Sequence, residues 1–191
     1  MLPGEPDAGP PGLSAKTPHP SLIFLGSRFS RKRGELALEL FRRLRPAFPD
    51  LRMTYVGTAA EAAGLPGAPG MEGVDFRSGV DQEELDRLYR SAWVYLCLSS
   101  YEGFGVGIIE AMARSCVVFT TPHPGSDYLV RDGETGLVAP PEDAAAVLGR
   151  ILADPGGRAA LEARGREAAR RFAPSAVAAS YVGLYEAAAW A

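Results

Sequence analysis

From residue 21 onward the chain alternates short, unbroken apolar runs with amphipathic stretches, and few folds accept that pattern. Ser21–Gly26, Leu51–Gly57, Val74–Ser78, Trp93–Leu98, Cys116–Thr120 and Gly136–Ala139 read as six strands. A strand with apolar residues at nearly every position has no solvent face, so both its faces are buried. Between the strands, Glu35–Leu44 carries Leu36, Leu38, Leu40, Phe41 and Leu44 on one broad helical face, and Pro46 and Pro49 stop it. Asp81 caps a helix with the apolar face Leu85, Leu88 and Tyr89, and Glu84 stands at the capping-box position. Val106–Ala113 reads as a helix, and Tyr128–Val130 as a short one ended at Asp132-Gly133. Residues 142–153, 156–171 and 174–190 read as three Ala-rich helices separated by Pro155 and Pro174. Helices alternating with such strands predict an α/β fold, a Rossmann-like doubly wound parallel sheet of about six strands. Ligands of such sheets bind beyond the carboxyl ends of the strands, so function is sought after strands one, three, four and five.

The 191 residues suffice for one domain with a sizeable core and no need of disulfides. A net charge of −3 excludes a chain-wide electrostatic footprint for nucleic acid or an anionic membrane. Of the 20 basic residues only Lys16 and Lys32 are lysines, a bias that fits a GC-rich genome. Cys97 and Cys116 each lie in an apolar run, and with His19 and His123 they form no zinc-ligand spacing. They read as buried free thiols in a reducing compartment, and no metal is expected. No apolar run approaches the ~20 residues of a spanning helix, and the N-terminus lacks the pattern of a secretory signal. The expectation is a cytoplasmic protein. Residues 1–20 hold six Pro and three Gly and read as a linker or an expression remnant, with the folded domain covering 21–191.

Two segments carry chemistry. Gly26-Ser-Arg28-Phe-Ser-Arg31-Lys32-Arg33-Gly34 follows strand one and puts four cations within six residues at the start of a helix. Free N–H groups, the helix dipole and guanidinium forks together make a diphosphate clamp. The P-loop spacing is absent. Tyr101-Glu102-Gly103-Phe104-Gly105-Val106-Gly107-Ile-Ile-Glu110 follows strand four. Its glycines allow unusual dihedrals and a close backbone approach, which builds a second anion nest.

These segments resemble the C-terminal, nucleotide-sugar domain of the group 1 retaining glycosyltransferases, which have the two-domain GT-B architecture. The likeness rests on E-G-F-G-x-x-x-x-E-A-M-A from Glu102, and on Arg28-Phe-x-x-x-Arg33-Gly34 upstream. It extends to Val74–Val80 ahead of the Glu84–Tyr89 helix, to Asp132-Gly-Glu-Thr-Gly-Leu-Val138, and to Phe172-Ala-Pro with Leu184-Tyr-Glu186. It implies a single GT-B half domain spanning about Ser21 to Tyr185. It further implies that Arg28 and Arg33 hold the donor diphosphate, with Arg33 in place of the usual Lys, and that Gly26 belongs to the substrate-binding set. Glu102 would be the catalytic group beside the reacting sugar. Backbone N–H groups of Phe104, Gly105 and Val106 would meet sugar and phosphate, and Gly103 would belong to the same substrate-binding set. Glu110 would bind the ribose, and Arg77 to Val80 would lie at the base.

The implied reaction transfers a hexose-type sugar from a nucleotide diphosphate sugar to an acceptor hydroxyl without a metal or other cofactor. The leaving diphosphate would be stabilised by guanidinium groups and a helix N-terminus, and Glu102 would tolerate the oxocarbenium-like charge. The sequence departs from the family where Leu98 precedes Ser99, at Ser115 and Val117, and in Pro124-Gly125-Ser-Asp-Tyr128. His123, in that last loop, reads as incidental rather than as an acid/base. The expected partners are the sugar nucleotide and a missing N-terminal acceptor domain or partner chain, with no nucleic acid and any membrane contact made only through the missing domain. That domain would dock on apolar C-terminal surface around Tyr185 and Trp190. The alternative reading is a non-catalytic nucleotide-binding or interaction module that retains the fold; a GT-B epimerase or phosphorylase fits the E-G-F-G spacing less well.

Overall fold

The computed structural model describes residues 16–26, 30–57 and 71–189. In chain order the elements are β1 (Ser21–Leu25), α1 (Gly34–Leu44), β2 (Arg52–Val56), β3 (Val74–Arg77), α2 (Gln82–Ser91), β4 (Val94–Cys97) and α3 (Val106–Ala113). There follow β5 (Val117–Thr120), α4 (Pro124–Leu129), β6 (Leu137–Val138), α5 (Pro141–Ala153), α6 (Pro155–Ala169) and α7 (Pro174–Ala189). The six strands form one all-parallel sheet in the order β3-β2-β1-β4-β5-β6. This is the doubly wound order, and its switch point lies between β1 and β4.

The alternation within each strand splits the core into two layers. Leu22, Phe24, Leu96, Val117 and Phe119 face one side, against α1 and the α5 residues Ala144, Leu148, Ile151 and Leu152. Ile23, Tyr95, Cys97 and Val118 face the other, against Tyr89 of α2 and Ile108, Ile109 and Met112 of α3. The sequence pattern of unbroken apolar strands has this cause. Only the outer strands β3 and β6 hold no fully buried residue.

Two expectations change in detail. Lys16–Pro20, read as part of a linker, lie against the body. Lys16 Nζ donates to the Ala92 carbonyl at 2.6 Å, and the Trp93 indole N–H donates to the Thr17 carbonyl at 2.8 Å. The folded part therefore begins by Lys16. The short helix expected at Tyr128–Val130 is α4, which starts four residues earlier at Pro124. Its N-cap is His123, a residue type that carries no capping signal in a sequence. Cys97 and Cys116 are free and buried, and burial pushes the Cys116 thiol up to about 12. Among the described residues no helix is long and apolar enough to cross a membrane.

Candidate functional site

The loops after β1, β4 and β5 meet at the switch point and are pinned to one another. Ser100 N–H donates to the Arg31 carbonyl at 2.8 Å, tying the loop after β4 to that after β1. The Thr121 hydroxyl donates to the Ser99 carbonyl at 2.9 Å, tying the loop after β5 to that after β4.

Glu102 sits at the centre of this junction and is only 8% exposed. Its Oε1 accepts from Lys32 Nζ at 2.5 Å and from the Ser99 hydroxyl at 2.6 Å, and its Oε2 accepts from Arg31 Nη1 at 2.6 Å. Burial by itself would raise this carboxyl. The hydrogen bonds from Lys32, Ser99 and Arg31 outweigh it and hold the group at about 2. The sign of the pH dependence follows. The contribution of these bonds to stability is complete above the unfolded value of about 4.3 and is lost as pH falls through about 2. Chemical unfolding of the native chain and of Glu102→Gln between pH 6 and 2 should show the native chain's advantage shrinking toward the acid end. An advantage that does not vary with pH would contradict this.

Lys32, Glu102, Tyr95, Cys97 and Phe104–Ile108 enclose a cavity of about 250 Å³. Two glycines make it possible. A Cβ at Gly26 would lie 2.7 Å from the Lys32 Cβ, so only glycine lets the Lys32 side chain cross the end of β1. Gly105, at φ +85°, is the N-cap of α3, and a Cβ there would lie 2.9 Å from the Leu129 Cδ1. The first residues of α3, Val106 and Gly107, whose N–H groups have no partner within the helix, line the cavity.

The residues expected from the sequence are placed as follows. Gly26, Glu102, Phe104, Gly105 and Val106 lie at the junction, with Gly103 on the same loop. Arg28 lies outside the described residues. Arg33 precedes α1 in a left-handed conformation, φ 55°, and it is Lys32 that reaches the cavity. Arg77, at the end of β3, is held by Asp75 at 2.7 Å and Glu84 at 2.6 Å. Glu110 stands one turn into α3, half-buried and outside the cavity lining; burial raises its carboxyl and the Arg114 charge opposes the rise.

Sequence reasoning counted Arg31 and Lys32 within the basic cluster but did not assign them to Glu102, and it gave Ser99 and Thr121 no role. The density of cations was the available signal. His123 is buried, and its Nδ1 accepts from Ser126 N–H at 3.0 Å. Its Nε2 therefore carries the proton and faces Thr120 Oγ1 at 3.3 Å. Both ring nitrogens are engaged in holding the loop after β5. Among the described residues no group of three His, Cys, Asp or Glu side chains could hold a metal ion.

An open parallel sheet with cations, a buried carboxylate and a glycine-capped helix start at its switch point defines a Rossmann-like domain. The chain belongs to the group 1 glycosyl transferases, whose family model matches residues 11–170. It is 31% identical over 173 residues to a phosphatidyl-myo-inositol mannosyltransferase of Mycobacterium leprae, covering 87% of this chain and 46% of that protein. It is 36% identical over 115 residues to a D-inositol 3-phosphate glycosyltransferase of Streptomyces bingchenggensis, covering 59% of this chain and 25% of that protein. Sucrose-phosphate synthase from Thermosynechococcus elongatus superposes with a TM-score of 0.77 at 30% identity, covering 88% of this chain and 45% of that one. The chain thus spans about half the length, or less, of these three relatives.

Proposed function

We propose that the chain is the donor-binding domain of a metal-independent, retaining glycosyltransferase that moves a hexose-type sugar from a nucleotide diphosphate sugar to an acceptor hydroxyl. The observation that carries this reading is the pairing of Lys32 and Arg31 with Glu102 beside the start of α3. Two cations held together on one buried carboxylate are the donors a leaving diphosphate needs, and Glu102 occupies them as an internal anion. An arriving diphosphate takes over Lys32 and Arg31 and meets the N–H groups at the start of α3. Arg28 and Arg33, which flank this pair in the sequence, would extend the clamp once the diphosphate is bound. As the glycosyl–oxygen bond breaks, negative charge grows on the diphosphate and these fixed donors stabilise it without reorganisation.

Release from Lys32 frees the Glu102 carboxylate to accept hydrogen bonds from donor-sugar hydroxyls and to face the cationic character of the sugar. The acceptor proton passes to the departing phosphate on the same face. Glu110 would accept from the ribose, and the end of β3 around Arg77 would lie beside the base. The names of the relatives, which include a mannosyltransferase, favour a hexose donor. Since those relatives are about twice as long as the matched region, a second half that binds the acceptor is part of this reading.

A thermal-shift panel of UDP, GDP and ADP tests it. A nucleotide at 100 times its Kd adds about 2.7 kcal/mol, and for a chain of this length that raises Tm by roughly 5–10 °C. The rise should appear with at least one base and be lost in Arg28→Ala and in Glu110→Ala. No rise with any of the three would overturn the reading and favour a module that keeps only the fold.

A further inference from the structure

A hydroxyl with nothing to bind lies beneath the start of α3. Tyr89, near the end of α2, is fully buried, and its Oη has no hydrogen-bond partner among the described residues. A tyrosine hydroxyl taken out of water normally finds a partner, so an orphan in a packed core calls for a reason. Its surroundings are fixed. The Tyr89 ring stands edge-on to that of the cavity-lining Tyr95, with centroids 5.5 Å apart and planes at 86°. Asp86, one turn earlier on α2, accepts from Arg90 at 2.5 Å and from Arg114, the residue that follows α3. Arg114 Nη1 also donates to the Glu110 carbonyl at 3.2 Å, so α2 is clamped to α3. A Cβ at Gly107 would lie 3.4 Å from the Tyr89 Oη, which sets the hydroxyl against the first turn of α3. Glu110 follows Gly107 by three residues and shares its helix face. Burial first, and the Glu110 charge next, hold the Tyr89 hydroxyl well above its ordinary range.

We infer that Tyr89 is a positioning residue of the donor site: when Glu110 turns to a ribose, its carboxylate accepts a hydrogen bond from the Tyr89 hydroxyl. The inference rests on the proposed reading, in which Glu110 accepts from the ribose, and adds to it the group that fixes the carboxylate there. The donors and acceptors balance. An ionised carboxylate has about four lone-pair sites on its two oxygens, so one bond from Tyr89 leaves room for both hydroxyls of a ribose. A glutamate side chain loses rotamer freedom when a ligand holds it, and a rigid donor beneath it reduces that cost. Burial opposes ionisation of Glu110, and a donated hydrogen bond favours the charged form, which is the stronger acceptor. In the free chain the hydroxyl makes no such bond, so it adds nothing to the stability of the fold. Its contribution belongs to the bound state.

Calorimetric titration of the native chain and of Tyr89→Phe tests the inference. The probes are whichever of UDP, GDP and ADP binds the native chain most tightly, and the matching 2′,3′-dideoxynucleoside diphosphate, which keeps base and phosphates but lacks the two hydroxyls. Tyr89→Phe is expected to weaken the nucleoside diphosphate about tenfold and to leave the dideoxy compound unchanged. Thermal unfolding without ligand should give Tyr89→Phe a Tm equal to or above that of the native chain, because the substitution removes an orphaned hydroxyl and keeps the ring. A hydroxyl with a merely structural role would lower Tm and weaken both ligands alike, and either result overturns the inference. A nucleoside diphosphate bound equally by the native chain and by Tyr89→Phe overturns it too, and leaves the donor reading standing. A native chain that binds none of the three nucleotides overturns both.

Discussion

Replacing Lys32 by alanine is expected to weaken nucleoside diphosphate binding about a hundredfold, through loss of one half-buried charge-assisted contact of about 2–3 kcal/mol. In the free chain Lys32 Nζ lies 2.5 Å from Glu102 Oε1 and crosses the end of β1 over Gly26. The side chain is therefore already in place for the ligand, and little ordering cost is added on binding. The variant also leaves Glu102 with Arg31 and Ser99 alone, so its carboxyl rises from about 2. Glu102→Gln should move affinity the other way. Without the carboxylate, Lys32 and Arg31 have no internal competitor, and a nucleoside diphosphate should bind several-fold more tightly (~1 kcal/mol). Calorimetric titration of the native chain and both variants separates the two signs. Lys32→Ala and Glu102→Gln weakening binding alike would show that the cations serve only to hold the carboxylate.

Phe119→Ala carries the largest expected loss of stability. Phe119 is fully buried on β5, where its backbone is paired on both sides, with Leu96 of β4 and Leu137 of β6. Its ring packs in the layer with Leu96, Val117 and the residues of α5, and strands on both sides hold the backbone against collapse into the space it would leave. The expected cost is about 3–5 kcal/mol. For a domain of this length that corresponds to a fall in Tm of roughly 6–20 °C. Denaturant unfolding checks it, with an unchanged dependence on denaturant concentration as the sign that the fold is kept. A loss below ~1 kcal/mol would mean that this layer is not the packed centre of the domain.

The fold was legible because its strands are buried on both faces. An apolar run such as Trp93–Leu98 leaves no room for a solvent side, and β4 with its flanking residues lies there. The helix starts that follow capping chemistry were legible too. Asp81 accepts from Glu84 N–H at 2.8 Å, as its residue type and spacing imply. The start of α4 was not, because its cap is an imidazole nitrogen, and a His before Pro reads as loop. The site was legible as a neighbourhood. Glu102, Phe104 and Gly105 follow strand four, and in this sheet order strand four lies beside strand one.

What sequence reasoning did not resolve is which cation of Arg31-Lys32-Arg33 faces the carboxylate. That depends on a single turn of 3₁₀-helix, Ser30–Lys32, followed by a left-handed Arg33, and neither leaves a mark in residue type. Burial of Glu102 was likewise hidden, since a carboxylate in a glycine-rich bend reads as exposed until its three donors are seen together.

The central claim is that Lys32 and Arg31 hold Glu102 in place of a diphosphate. A crystal structure of the chain with a bound nucleoside diphosphate tests it most directly. The account predicts the phosphates in the cavity between Lys32 and the N–H groups of Gly105–Gly107, with Lys32 Nζ moved off Glu102 onto a phosphate oxygen. A diphosphate seated elsewhere, with the Lys32–Glu102 pair intact, would contradict it.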